Sequence, residues 1–339
     1  MKILLYFLFF PIIVFSQIKI QGNVYDEKGE PIFGVSVYID GSTIGTVTDE
    51  MGFFALELNS ETNSLMVFRN MGFKTTSINI KSVTYPLKIT LQEEVKELRE
   101  VVVEKSLFTR KQMMKLFKEQ FLGNNVAGSS CIIENENEIY FSFDKMTLIL
   151  TVYSDVPLRI KNSYLGYNIE YELYDFECNL SKLSMNSEFV IKVCYGGNSL
   201  FTDIDNSKKK INRRLKSFEG STLQLFRNLI VNKWEKKGFV LYKRSFPTDP
   251  SKHFKVTKLE NETFKVELIS KNEINLNNKY VNPFNLLYNN KEQSKIVFNI
   301  SEFFVDSFGV YSNYESILLS GAISTKRVGD LLPTNFLKR

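Results

Sequence analysis

One histidine, His253, and three cysteines, Cys131, Cys178 and Cys194, are all that 339 residues offer for imidazole or thiol chemistry. A catalytic zinc site needs at least two imidazoles or an equivalent ligand set, so zinc-peptidase chemistry is excluded. Nucleophilic catalysis by Ser or Cys needs a base within hydrogen-bond reach. The one imidazole stands in "DPSKHFKV", a loop running into a strand, and no G-x-S-x-G elbow is present. His253 therefore reads as a surface residue. Carboxylate chemistry remains: Glu170, Glu172 and Asp175 lie close together in "YNIEYELYDFE", and carboxylate pairs perform acid–base work in glycoside hydrolysis. The same residues alternate with Ile169, Tyr171 and Leu173, which is the pattern of a strand with one solvated face. No cysteines have C-x-x-C spacing, so no metal or redox motif is expected, and no cofactor. Buried, reduced thiols are expected, with one bridged pair as the alternative in an oxidising compartment.

The densest charge is "KKKINRRLK", Lys208 to Lys216. Lys208, Lys209, Lys210, Arg213 and Arg214 are the candidate binding residues, suited to lipid headgroups or acidic glycans. The competing reading is an exposed loop or solvated helix face. The net charge of +5, from 43 basic and 38 acidic residues, is too mild to imply a nucleic-acid partner. The tyrosines of "YLGYNIEYELY" could stack on sugar rings, but they suit a strand core equally.

Several kinds of element must position these groups. The first residues, "MKILLYFLFFPIIVFSQ", carry one Lys and then an apolar run from Ile3 to Phe15. Such a run is short of the roughly 20 residues that span a bilayer and has the layout of an export signal, residues 1–17. Cys131 is the first cysteine, so a lipid-anchored N-terminus is not expected. From Ile18 the chain breaks into short alternating segments separated by turn signals: "IKIQGNVYD", "VSVYID", "FFALEL", "SLMVFRN", "TTSINI" and "LKITLQ". Strands this short and regular predict an antiparallel sandwich of about seven strands over residues 18–92. The glycines of "GSTIGTVTDEMGFFALEL" are not a phosphate loop, because no helix follows them and the period after Gly52 is two. They read as turn residues.

The segment "QGNVYDEKGEPIFGVSVYIDGSTIGTVTDEMGFFALEL" resembles the carboxypeptidase-regulatory-like domain, a transthyretin-like Greek-key β-sandwich. Gly22, Val24, Asp26, Gly29, Pro31, Ile32, Gly34 and Val37 match the first half of that family's pattern. Gly45, Thr46, Thr48, Asp49, Gly52 and Phe54 match the second, while Val35 replaces its usual Ala. "LREVVVEK", Leu98 to Lys105, resembles the closing strand, within a linker spanning 93–105. In that family the module accompanies metallocarboxypeptidases or precedes TonB-dependent outer-membrane receptors. The missing imidazoles exclude the first context, and a receptor barrel of around twenty strands needs several hundred more residues.

Residues 106–339 predict a β-rich α+β domain with about two helices. The first is "SLFTRKQMMKLFKEQFLG", with Met113, Phe117 and Phe121 on one face and Gly123 as its stop. The second is "GSTLQLFRNLIVNKWEKKG", with Ser221 and Gln224 as a capping box, Gly238 at its end and Trp234 at the core rim. "CIIENENEIYFSF", "FEGSTLQLFRNL" and "GDLLPTNF" resemble an uncharacterised extension that follows this sandwich in exported Bacteroidetes proteins. Its pattern has a His-Phe step where this chain has Gln224 and Leu225. The resemblance implies address and architecture without a catalytic role. A non-catalytic protein of the periplasm or outer-membrane periphery is expected, binding an envelope protein or a glycan and lacking a transmembrane segment in its mature form. The alternatives are an accessory of TonB-dependent uptake and a carboxylate-based hydrolase.

Overall fold

A computed structural model describes residues 18–58, 64–80, 86–94, 107–235, 238–259, 262–269 and 281–337. The export segment and the expected closing strand lie outside them. Seven strands follow one another in the N-terminal part: β1 (Ile18–Tyr25), β2 (Ser36–Ile39), β3 (Gly45–Val47), β4 (Phe53–Leu58), β5 (Leu65–Arg69), β6 (Thr76–Asn79) and β7 (Leu87–Thr90). They form two sheets, ordered β4-β1-β7 and β3-β2-β5-β6. The alternation of the sequence supplies the inner faces. Ile20, Val24, Val37, Ile39, Phe54, Leu56, Met66 and Phe68 are all buried in one core, as expected for a β-sandwich.

The motif residues are turn-formers. One Asp49 carboxylate oxygen accepts the amides of Met51 and Phe53, both at 2.9 Å, and Asp26 does the same for Lys28 and Glu30. Thr48 accepts from the Val35 amide at 2.9 Å and donates to the Ile32 carbonyl at 2.7 Å, which ties the two sheets' turns together. Gly52 has φ +69°, and a Cβ there would lie 2.4 Å from the Val24 carbonyl oxygen. Only glycine satisfies both conditions.

A second core begins with α1 (Arg110–Phe121), capped by a Thr109–Gln112 box. After the single-turn α2 (Val126–Ser129) come β8 (Cys131–Ile133), β9 (Ile139–Asp144), β10 (Ile149–Ser154), β11 (Leu158–Asn162), β12 (Tyr167–Leu180) and β13 (Val190–Asp203). The long β12 is the spine. One edge pairs first with β11 and then with β10, and the other pairs with β13 along its length. Met113, Phe117 and Phe121 turn inward as the periodicity requires. Phe117 meets Phe176 edge-on at 4.9 Å, and Phe121 meets Tyr171 at 5.1 Å.

The basic run follows as a helix, α3 (Lys208–Phe218), and then α4 (Thr222–Ile230) opens a third core. That core is closed by β14 (Phe239–Lys243), β15 (Phe246–Pro247), β16 (Phe254–Lys258), β17 (Thr263–Leu268), β18 (Asn282–Tyr288), β19 (Glu292–Phe298), β20 (Glu302–Asp306) and β21 (Ile317–Gly321). They form one sheet of five strands, β15-β14-β18-β19-β21, and one of three, β16-β17-β20. Leu225, Phe226 and Leu229 face this core, as their spacing predicts, and Trp234 packs at its edge. Two expectations need correcting. The described residues contain four α-helices rather than about two. The last stops at Ile230, well short of Gly238, because Asn232 adopts a left-handed backbone (φ 52°) that ends the ladder.

The C-terminal segment, 328–336, joins all three cores. Val328, Leu332 and Phe336 pack on the second core, and Asn162 donates to the Gly329 carbonyl at 2.9 Å. Asp330 accepts from Asn125 and Ser217, both at 2.6 Å. From α4, Arg227 donates to the carbonyls of Phe336 and Thr334. Thr334 then donates to Gly41, in the sandwich, at 2.6 Å. This segment is "GDLLPTNF". Gly329 lies against Gly128 so closely that a Cβ would sit 2.4 Å from the Gly128 Cα. Replacing Gly329 by Ala should lower unfolding stability by roughly 1–3 kcal/mol through overpacking, measured by urea denaturation at constant m-value.

Candidate functional site

The acidic stripe of β12 is a partly solvated face that also touches the sandwich. Tyr167, Ile169, Tyr171 and Leu173 turn toward α1, so Asn168, Glu170, Glu172 and Tyr174 project from the other side of the sheet. That side meets the sandwich. In β2, the turn residue after it and β5, the outward positions are Tyr38, Asp40, Val67 and Arg69, alternating with the core residues Val37, Ile39, Met66 and Phe68. Tyr38 and Val67 are almost fully buried, at 1% and 0% exposure, without belonging to the sandwich core. Arg69 forms an ion pair with Glu170 and lies over the Tyr38 ring. Thr75 donates to Glu172 at 2.6 Å, whose second carboxylate oxygen is buried with no hydrogen-bond partner. Glu170 and Glu172 thus hold two parts of the chain together. The reading of a half-solvated strand holds, since Glu170 keeps about half of its side chain in water while it pairs with Arg69.

The tip of the β2–β3 hairpin completes the junction. Gly41 donates to the Ser199 carbonyl at 2.7 Å, and Phe201 donates to Ser42 at 2.9 Å, a short parallel bridge onto β13. Asp40 accepts the Ser199 amide at 2.7 Å. Burial pushes the Asp40 carboxyl up to about 6, against the pull of that hydrogen bond, and the nearby Glu172 charge adds to the rise. Burial likewise raises the phenols of Tyr38 and Tyr174 well above their ordinary range. Asp175 sits past a β-bulge at Tyr174, beside Gly196 and Tyr314, and its carboxyl is raised by burial and then by Glu315.

The basic run divides by face. Arg214 is removed from the candidate binding residues because its guanidinium is buried and fully committed. It donates to the carbonyls of Leu165, Gly166 and Asp205 and to Asn206, pairs with Asp203 at 2.7 Å and covers the Tyr167 ring at 3.8 Å. Arg213 donates to the Tyr164 carbonyl and lies over its ring, and Lys210 donates to Ser163. Lys208 and Lys209 are exposed. A larger basic groove of about 980 Å³ runs along α1, lined by Arg110, Lys111, Lys115 and Lys118. There Arg110 is spent on the carbonyls of Ile139 and Glu136, and Lys118 pairs with Glu136.

His253 is half-buried rather than a free surface residue. Its Nε2 is 2.8 Å from the Thr248 hydroxyl, its ring edge meets Phe284, and burial lowers its pKa. Burial pushes the Cys131 and Cys178 thiols up to about 12, far from the depressed values of reactive thiols. Cys178 and Cys194 stand opposite Val193 and Glu177 respectively, so they point to opposite faces of one sheet and cannot bridge. Among the described residues no three His, Cys, Asp or Glu side chains are grouped to hold a metal.

The sandwich end far from the hairpin tip presents a different surface. Phe33, Val47, Met51 and Met71 are 67%, 57%, 69% and 95% exposed. Their turns are neighbours: Asn70 donates to the Phe33 carbonyl at 3.0 Å, and Gly34 donates to Thr48 at 3.1 Å. These turns carry the motif recognised in the sequence. Residues 20–103 match the CarboxypepD_reg-like domain. The chain is 31% identical over 88 residues to the TonB-dependent receptor SusC of Bacteroides thetaiotaomicron. It is 35% identical over 88 residues to the TonB-dependent receptor P39 of Formosa agariphila. Each match covers 26% of this chain and 8% of the relative, so the chain corresponds to a small part of either receptor. The family match covers the sandwich, and the two cores lie beyond it.

Asp40 generates a pH dependence with a definite sign. The folded carboxyl titrates near 6 against an ordinary 3.8, so the folded state binds the proton more tightly. The cost of the buried charge is absent below about pH 4, grows as pH rises, and is complete above about pH 6, at on the order of 2–3 kcal/mol. Asp40→Asn keeps an acceptor for Ser199. The variant should be more stable than the parent at pH 7.5, with the gap closing toward pH 4.5 in paired thermal melts. For Arg214→Ala, a loss of roughly 3–5 kcal/mol is expected from the stranded partners, whereas Lys209→Ala should change stability by under about 0.5 kcal/mol.

Proposed function

We propose that the protein is a non-catalytic, exported component of the cell envelope whose CarboxypepD_reg-like domain docks onto an envelope protein. The observation carrying this reading is the cluster of Phe33, Val47, Met51 and Met71, exposed on adjoining turns of an otherwise ordinary sandwich. Exposed apolar side chains grouped within a polar surround are a common feature of protein-binding surfaces. The opposite end and one outer face of the domain are already occupied by β12 and β13. The apolar turns stay accessible to a partner, and they are more apolar than the open outer face of β4-β1-β7 with Lys19, Gln21, Glu57 and Lys88. Commitment of Glu170 and Glu172 to Arg69 and Thr75 supports a binding role over a hydrolytic one for that stripe.

The relatives favour one class of partner. Both are named as TonB-dependent receptors, so an accessory role beside an outer-membrane uptake system is the more specific form of the proposal. The layout of the first seventeen residues supports export. Among the described residues no helix is long and apolar enough to cross a membrane.

A photo-crosslinking amino acid at position 33 or 71, in cells producing the full chain, should capture a discrete envelope protein. The same probe at Met146, 84% exposed on the second core, should not. Met71→Ser, placed with the probe at 33, should reduce the adduct severalfold. Equal labelling from all three positions, or none from 33 and 71, would overturn the docking surface. Recovery of the chain only from the cytoplasmic fraction would overturn export independently.

A further inference from the structure

The only tryptophan of the chain lines an open cleft of about 350 Å³ on the third core. Its walls include Asn232, Trp234, Glu235, Thr248, Asp249 and Pro250. How the cleft forms follows from the chain. Asn232 ends α4 with its left-handed backbone, and Lys233 folds back to donate to the Asn228 carbonyl at 2.8 Å. This turn sets the indole of Trp234 half-buried against the third core, leaving its remaining surface to the cleft. The Trp234 Nε1–H is buried and has no hydrogen-bond partner. An indole donor left unpaired inside a protein is uncommon, since buried Trp N–H groups usually find a partner.

The opposite wall is polar and held in place. Asp249 accepts the Ser251 amide at 3.0 Å, and this hydrogen bond keeps its carboxyl below the usual range. The Thr248 hydroxyl is fixed by His253 at 2.8 Å, and His253 is itself wedged against Phe284. The one imidazole and the one indole of the protein therefore serve the same corner of the fold.

We infer that this cleft is a binding subsite for a neutral saccharide. A sugar ring offers an apolar face of C–H groups for the indole and a rim of hydroxyls that donate and accept. Asp249 and Glu235 supply acceptors, Asn232 supplies both kinds of group, and Trp234 supplies the exposed part of its ring as the apolar wall. An apolar wall with a few placed polar groups in a cleft of this size is the general form of a small-molecule site, and the volume suits one or two sugar rings. Two carboxylates at the rim disfavour phosphate, sulfate or uronic-acid ligands. The site is separate from the apolar turns of the sandwich and goes beyond the docking role proposed above, and either can fail without the other.

Because Trp234 is the only tryptophan, its emission reports this cleft alone. Titrating the full chain with maltose, cellobiose, xylobiose and di-N-acetylchitobiose should give a saturable shift or quench with at least one of them. Asp249→Ala should weaken that sugar's apparent affinity at least tenfold while lowering the thermal melt by only a few degrees through loss of the Ser251 cap. Asn232→Ala is the second variant, read by calorimetry so that the result does not depend on fluorescence. Absence of a saturable response to all four sugars would overturn the inference. So would a response that survives Asp249→Ala and Asn232→Ala unchanged. Saturable quenching by choline but not by the sugars would also overturn it, assigning the cleft to a cation.

Discussion

A sheet that touches another part of the chain on each face organises this molecule. One face of β12 and β13 packs on α1 through Tyr171, Leu173 and Phe176. The other carries Glu170 and Glu172 into a junction with Tyr38, Thr75 and Arg69 of the sandwich. Burying carboxylate oxygen is costly unless it is paired, so the hydroxyl of Thr75 offsets part of the cost at Glu172, while the half-exposed Glu170 adds an ion pair with Arg69. The pairing is incomplete. One Glu172 oxygen has no partner, and Asp40 is held above its ordinary pKa. The junction is thus specific in register while carrying an electrostatic cost at neutral pH.

The same logic recurs in the buried cations. Arg214, Arg227 and Lys326 each donate mainly to backbone carbonyls at the ends of helices or turns. Lys326 reaches the carbonyls of Lys216, Ser217 and Glu219 at the C-terminal end of α3, where orphan carbonyls and the helix dipole favour a cation. With the strap of 328–336, these residues tie α3 and α4 to the second core and to the sandwich. The hairpin tip Gly41–Thr43 meets both β13 and this strap, so the sandwich is fixed from two directions. A partner docking on its apolar turns would therefore be held in a defined relation to the rest of the chain.

Legibility in the sequence followed range. The seven strands, the T-D-x-x-G-x-F turn and the inward stripes of α1 and α4 depend on contacts within about ten to thirty residues, and all were readable from period and turn chemistry. The basic run was harder. Its composition predicts a solvated face, and Lys208 and Lys209 obey, but Arg214 is buried because carbonyls of the distant Leu165 and Gly166 converge on it. A large aromatic and an arginine at outward positions of β2 and β5, Tyr38 and Arg69, were the available signal for a covered face. They gained meaning only beside the acidic stripe a hundred residues later. The Trp234 cleft gave no pattern at all, since Asn232 and Asp249 meet across a helix end and a strand pair.

By itself the sequence determined the CarboxypepD_reg-like sandwich, the β-rich character of the remainder and the scarcity of imidazole and thiol groups, because these rest on residue type, local period and tight turns. The tertiary structure alone decided which polar residues are free. Whether Glu170, Arg214 or His253 faces water, a ligand or another part of the chain depends on long-range packing, and alternation along a strand marks two faces without saying what covers either one.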